Sequence, residues 1–303
     1  MIPYQFIFED EENMRVDKFL SEEMSDLSRS YIQKLIKEGN VFVNGKVVKA
    51  NYKLSREEQI TFWLPPLKEM EIKPEKMELD ILYEDEDIIL VNKPKGMVVH
   101  PCAGRYEHTL VNGLLYHCKD QLSGINGVMR PGIVHRIDKD TTGVLVICKN
   151  DRAHHCLAEQ LKEHSITRKY KAIAMGTVKE DGVIDKPIGR SKKDRKKMAI
   201  DLNGKRAVTH YHILEYLKKQ MTYIECQLET GRTHQIRVHM ASIHHPLLGD
   251  TIYGPSSQPY SLQGQCLHAG VLGFIHPTKN EYMEFEAPLP VYFSDLIEEL
   301  KLV

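Results

Sequence analysis

The chain has 303 residues, 42% of them hydrophobic and 27% charged, with a formal net charge of -1. Length and composition fit a soluble globular protein of one large and one small domain, with no overall basicity to announce a nucleic-acid partner. No apolar run approaches the roughly 18 residues a membrane span needs, and the N-terminal MIPYQFIFEDEEN has no basic, then apolar, secretory pattern. The six cysteines are scattered without a CxxC pair, as expected of reduced, packed thiols in a cytoplasmic protein.

The near-zero net charge hides segregation along the chain. Residues 1–14 hold four acids and no Lys or Arg, whereas residues 29–56 hold seven basic residues against the single acid Glu38. Residues 65–89 swing back to nine acids against three lysines.

Residues 15–64 read as a first module after an N-terminal segment, 1–14. Val16, Phe19, Leu20, Met24 and Leu27 recur at helical spacing. Ser28 is placed to cap a second helix, Arg29 to Glu38, with Gly39 as its stop. VFVNGKVV predicts a tight hairpin turning at Asn44-Gly45, and EQITFWLP a further strand. The module gathers Arg29, Lys34, Lys37, Lys46 and Lys49, either as a platform for phosphates or as an ordinary solvated face. Pro- and charge-rich residues 65–80 read as a linker.

From residue 81 to 303 short apolar strands alternate with helical pieces. DIILVNKPKGMVVHP predicts a buried strand, a turn over Lys93 to Gly96 and another strand. Ala153 to His164 and Val291 to Leu302 read as helices. The whole is an α+β chain: a small N-terminal module joined to a mixed-sheet α/β domain.

Three stretches carry chemistry. HRIDKDTTG precedes the apolar VLVIC and sets Asp138 beside the cations Arg136 and Lys139. A neighbouring cation keeps a carboxylate ionised, which suits a nucleophile or base, although a turn-forming Asp fits the spacing equally well. ETGRTHQIRVHMA alternates polar and apolar residues, predicting a strand with Gln235, Arg237 and His239 on one face. An Arg among core-like residues needs an anionic mate, and Asp138 is a natural one; an ion pair without catalytic role is the plainer reading. In ITRKYKAIAMG, Tyr170 on a strand is either a platform for a base or a routine half-buried residue. GRSKKDRKKMAIDLNGKR, residues 189–206, holds eight basic residues against two acids; Lys192, Lys193 and Lys196 there are RNA-contact candidates if the loop lies near a phosphate cleft. Histidines are numerous but lack HExxH-type spacing, so no metal site is expected.

In this order HRIDKDTTGVLV, RKYKAI and GRTHQIRVHM resemble the signature regions of the RluA/RluD family of RNA pseudouridine synthases, with NKPKGMVVHP, IDKPIGR, KRAVTHY, HPLLGD and LHA as supporting matches. Residues 15–64, SRSYIQKLIKEGNVFVNGK above all, resemble the S-four RNA-binding domain; together the two look most like the RluD type acting on the large ribosomal subunit. Ile137, Thr142 and Cys102 stand where Leu, Ser and Gly are commoner, none of them a charged position.

The resemblance implies a cofactor-free isomerisation of uridine with large-subunit ribosomal RNA as partner. It implies Asp138 as catalytic carboxylate, Arg237 as its counter-ion, Tyr170 stacking on the uracil, and Arg136 entering the stack a flipped uridine vacates. Asp140 is then a framework residue of the turn. No apolar stripe is left over for an obligate protein partner. Two other readings are a metal-dependent nuclease or hydrolase using Asp138 and Asp140 as ligands, and a non-catalytic RNA-binding ribosome assembly factor.

Overall fold

The computed structural model describes residues 3–10, 13–24, 27–64, 72–101, 105–119, 121–127, 130–194 and 197–302. The chain divides into two compact units, Met1–Glu69 and Met70–Val303.

The first unit contains β1 (Tyr4–Ile7), β2 (Met14–Arg15), α1 (Val16–Glu23), α2 (Arg29–Lys37), β3 (Val41–Val43), β4 (Lys46–Val47), β5 (Lys53–Leu54) and β6 (Gln59–Phe62). One antiparallel sheet runs in the order β1-β6-β3-β4, and β2 pairs β5. The Ser28 hydroxyl accepts from the Tyr31 N–H at 3.3 Å and caps α2. Asn44 and Gly45 take φ of 48° and 76°, the two left-handed positions of the predicted hairpin turn. Leu20, Ile32, Leu35, Val41, Ile60 and Phe62 fill the core. Within it Asp17 is fully buried and accepts hydrogen bonds from Arg15, Arg29 and Gln33. Burial opposes its charge, but those donors win and hold its carboxyl at about 2.

The second unit contains β7 (Ile81–Glu84), β8 (Ile88–Lys93), α3 (Leu110–Cys118), β9 (Thr142–Cys148), α4 (Asp151–Lys162), β10 (Thr167–Met175), β11 (Gly182–Asp185), β12 (Ile188–Arg190), β13 (Met198–Ile200), β14 (Val208–Leu217), β15 (Met221–Leu228), α5 (Gln235–Ser242), β16 (Leu267–Ile275), β17 (Tyr282–Glu286) and α6 (Val291–Leu300). The large sheet runs β11-β14-β15-β10-β16-β9-β8-β7, with β17 also on β16. Its pairings are antiparallel except β9 with β16. Every residue of β9 is buried, which explains its unbroken apolar run. α4 packs one face through Ala153 and Leu157, while α3 and α5 cover the other through Leu114, Ile236 and Met240.

Three expectations change here. GRTHQIRVHMA is not a strand: Gln235–Ser242 is α5, an eight-residue helix entered from His234 at φ 57°. Met97 to His100 form only a single bridge, Val98 with Thr109, instead of a second strand. Residues 72–80 are anchored to the second unit. Ile72 lies in its core, Glu75 N–H donates to Asn112 O at 2.9 Å, and Asn92 donates to the Asp80 carboxylate at 2.8 Å. Residues 65–71, the rest of the expected linker, lie outside the described residues.

Candidate active site

The loop carrying His135 to Asp140 leads into β9 at the centre of the sheet, and several ties fix it. Lys93, fully buried, donates from Nζ to Lys139 O at 2.9 Å, and Gly96 N–H donates to the same oxygen at 3.0 Å. Burial pushes this lysine down to about 7, against the pull of Asp140 and Asp138. Gln265 donates to Thr141 Oγ1 at 3.0 Å, and Thr141 N–H donates to Asp138 O at 3.1 Å. His135 Nε2 accepts from Val146 N–H at 3.1 Å; burial and the Arg168 cation push this imidazole down to about 3, so it stays a neutral acceptor. Gly143 closes the loop at φ 112°, where a Cβ would fall 2.1 Å from Ala269 O on β16. Only glycine fits there.

So fixed, Asp138 sits partly exposed on the floor of a cavity of about 390 Å³. Arg237 Nη1 donates to its Oδ2 at 2.9 Å. The guanidinium is held from behind by the fully buried Asp250, through Nε to Oδ2 at 2.7 Å and Nη2 to Oδ1 at 2.9 Å. Asp250 also accepts the N–H groups of Ile252 and Tyr253. Burial opposes the charge of Arg237, but Asp250 and then Asp138 outweigh it and raise its pKa. Asp138 Oδ2 is thereby committed. Oδ1 accepts no hydrogen bond among the described residues, and His234 Nε2 lies 3.7 Å from it. Tyr253 orients that imidazole: its hydroxyl accepts from Met198 N–H and lies 2.8 Å from His234 Nδ1. The phenolic proton is then free for Nδ1, which leaves the hydrogen on Nε2, toward Asp138.

Tyr170 on β10, only 8% exposed, lines a smaller adjoining cavity together with Asp138 and Arg237. Burial raises its phenol above the ordinary range; Arg168 counters this and Asp138 adds to it. Arg136 is exposed where both cavities open and has no hydrogen-bond partner among the described residues. Asp140 lines the larger cavity, packed against Gly264 and acting electrostatically on Lys93 and Lys95.

The expected mates Asp138 and Arg237 do meet, and Tyr170 and Arg136 join them. Asp250, His234 and Tyr253 escape the sequence reading, although HPLLGD and GRTHQIRVH contain the first two. Among the basic candidates, Lys37, Lys46, Lys49, Lys192 and Lys193 are exposed, Lys34 pairs with Glu38 at 3.8 Å, and Lys196 lies outside the described residues. Arg29 is engaged with Asp17 and has less to offer a phosphate.

A family model described as RNA pseudouridylate synthase matches residues 87–242, and one described as S4 domain matches residues 14–60. An "Uncharacterized RNA pseudouridine synthase YlyB" of Bacillus subtilis is 55% identical over 294 residues, 97% of this chain and 96% of the relative. The "Ribosomal large subunit pseudouridine synthase D" of Zymomonas mobilis is 49% identical over 287 residues, 91% and 90% of the two chains. Among solved structures, "Human RNA Pseudouridylate Synthase Domain Containing 1" superposes with a TM-score of 0.59 at 27% identity, covering 70% of this chain and 84% of that one. With the signature segments gathered around one cavity, the chain belongs to the RNA pseudouridine synthase family: it is an isomerase that converts uridine to pseudouridine and carries an N-terminal S-four RNA-binding domain.

Proposed function

We propose that this enzyme acts in the cytoplasm on uridines of large-subunit ribosomal RNA, with Asp138 as its catalytic carboxylate. The large-subunit assignment rests on the named function of relatives such as that of Zymomonas mobilis. The observation that carries the residue assignment is the asymmetry of Asp138, which lines the cavity: Oδ2 is tied to Arg237 while Oδ1 accepts no hydrogen bond among the described residues. Oδ1 is therefore the oxygen left for either available role, attack on C1′ of the ribose or removal of the C2′ proton.

The target uridine leaves its stack to reach the cavity floor, because its glycosidic bond is inaccessible within a helix. Its uracil rests on the Tyr170 ring, and Arg136 at the mouth takes the space it vacated. The N1–C1′ bond breaks, the uracil turns, and C5 bonds to C1′. The C5 proton is lost and N1 regains one, so the product is an isomer of the substrate. Nothing in that balance calls for a redox cofactor or a leaving group lost to solvent.

The test is to map pseudouridines in RNA from a strain lacking the enzyme, then restore it as wild type, Asp138→Asn or Asp140→Asn. Large-subunit sites vanish in the deletion and return with wild type and, in large part, with Asp140→Asn. Near-wild-type modification by Asp138→Asn would refute the residue assignment; unchanged ribosomal RNA would refute the substrate.

A further inference from the structure

Tyr170 and Arg136 also line a cleft of about 440 Å³. Its polar lining is almost wholly cationic: Arg136, Lys162, Arg168 and Arg232, with His135 and His164 and no carboxylate. Arg168 on β10 is the telling member. It is only 6% exposed, yet among the described residues it lacks the acid that a buried guanidinium needs. Arg237, equally buried, meets two carboxylates. Arg168 donates from Nη2 to Glu229 O at 2.7 Å, while its buried Nε has no partner. Nη1 lies under Gly231, where a Cβ would fall 2.7 Å from it. Glycine in ETGRTH thus keeps that nitrogen uncovered at the cleft. Arg232 uses Nε on Arg206 O at 3.0 Å, leaving its terminal nitrogens, and Lys162 is drawn off to Glu159 at 2.8 Å.

We propose that this cleft is a subsite for a backbone phosphate adjoining the target uridine, with Arg168 as its buried donor and Arg232 and Arg136 at its rim. The assignment rests on the RNA-modifying function proposed above. Tyr170 and Arg136 line both this cleft and the cavity that holds Asp138. A phosphate held here therefore flanks a uracil on Tyr170 and anchors the flipped nucleotide from its backbone. The planar fork of a guanidinium suits phosphate oxygens, and burial strengthens the interaction. Among the described residues this supplies the anion that Arg168 otherwise lacks.

The test uses the full chain and a stem-loop RNA around a uridine that mapping identifies, with single phosphates replaced one at a time by neutral methylphosphonates. Binding and single-turnover conversion are measured for wild type, Arg168→Met and Gly231→Ala. At one linkage beside the target, wild type loses roughly tenfold or more in affinity. At that same linkage Arg168→Met loses nothing further, because its donor to the phosphate is already gone. Gly231→Ala, whose new Cβ covers Nη1, shows the same pattern without removing the buried cation, and carries the result should Arg168→Met fail to fold. Wild type that tolerates neutralisation of every linkage near the target overturns the proposal, as do variants as sensitive as wild type. Wild type that forms no pseudouridine in any stem-loop fails at the underlying function instead, which separates the two.

Discussion

Asp250 holds Arg237, and its removal tests whether Asp138, the carboxylate proposed to react, depends on the residue behind its ion-pair partner. Arg237 has three hydrogen bonds to carboxylates, two of them to Asp250 and one to Asp138. Asp250→Ala leaves a nearly buried guanidinium with one bond and orphans the N–H groups of Ile252 and Tyr253. Breaking a buried pair from one side costs about 3–5 kcal/mol. For a domain of this size that lowers the melting temperature by roughly 6–20 °C. Asp250→Asn keeps an acceptor oxygen and the local shape, so its cost is about 2 kcal/mol. Activity changes for a separate reason. Without its rear anchor Arg237 shifts toward Asp138 and can engage both oxygens, closing Oδ1 to the ribose. A displacement of that size costs roughly 10²-fold in turnover. Substrate affinity is expected to change less than turnover. Thermal unfolding gives the first number, and single-turnover conversion below the variant's melting temperature gives the second, with KM and kcat separated. Asp250→Asn with wild-type turnover, or Asp250→Ala melting within about 2 °C of wild type, would refute this account of Asp250 as the residue that positions Arg237.

Asp17 gives the N-terminal unit an acid-sensitive core. Its folded pKa lies below its ordinary value, so its contribution is present above pH 3.8 and lost as pH falls through about 2. Asp17→Asn removes about 2 kcal/mol of that stability at neutral pH and flattens the acid limb, read by fluorescence of Trp63, the sole tryptophan and part of this unit. Tyr170→Phe retains RNA affinity because the ring remains, whereas Tyr170→Ala loses about 1–3 kcal/mol of base stacking; equal losses in both would deny the stacking role. Replacing Lys192 and Lys193 by Ala lowers the salt slope of single-strand RNA binding by about 0.7 for each phosphate no longer neutralised, and an unchanged slope removes this loop from the interface.

Local rules made much of this architecture legible. Ser28, Asn44-Gly45 and the apolar run after Gly143 mark a helix start, a hairpin and a central strand, since each feature depends on a few neighbouring residues. The alternation in GRTHQIRVHMA misled for a physical reason. On α5, Gln235 and His239 are one turn apart and both bond Thr209 of β14, while Arg237 projects from the other side to Asp138 and Asp250. The helix presents polar groups to partners on two sides, so it has no solvated face and no amphipathic stripe. The partnership of Arg237 with Asp138 was readable because a buried cation demands an anion. That Asp250 shares the task was not, because an Asp after LLG looks like any turn residue until the chain closes around it.

The pairing of β9 with β16 also bears on how the enzyme comes into being. His268 and Ala269 lie beside Thr142 and Gly143 across more than a hundred residues of intervening chain. Gln265 reaches back to Thr141 over a comparable span, and Arg237 to Asp138 over 99 residues. Such contacts close late, because their loop entropy must be overcome before they stabilise anything. The loop that carries Asp138 therefore reaches its full set of contacts only once β16 has been synthesised and has docked beside β9. Loss of Gln265 and β16 would take away these partners of Thr141, Thr142 and Gly143 while leaving every element of the first unit in the chain, so the loop of the second unit depends on residues made more than a hundred positions later.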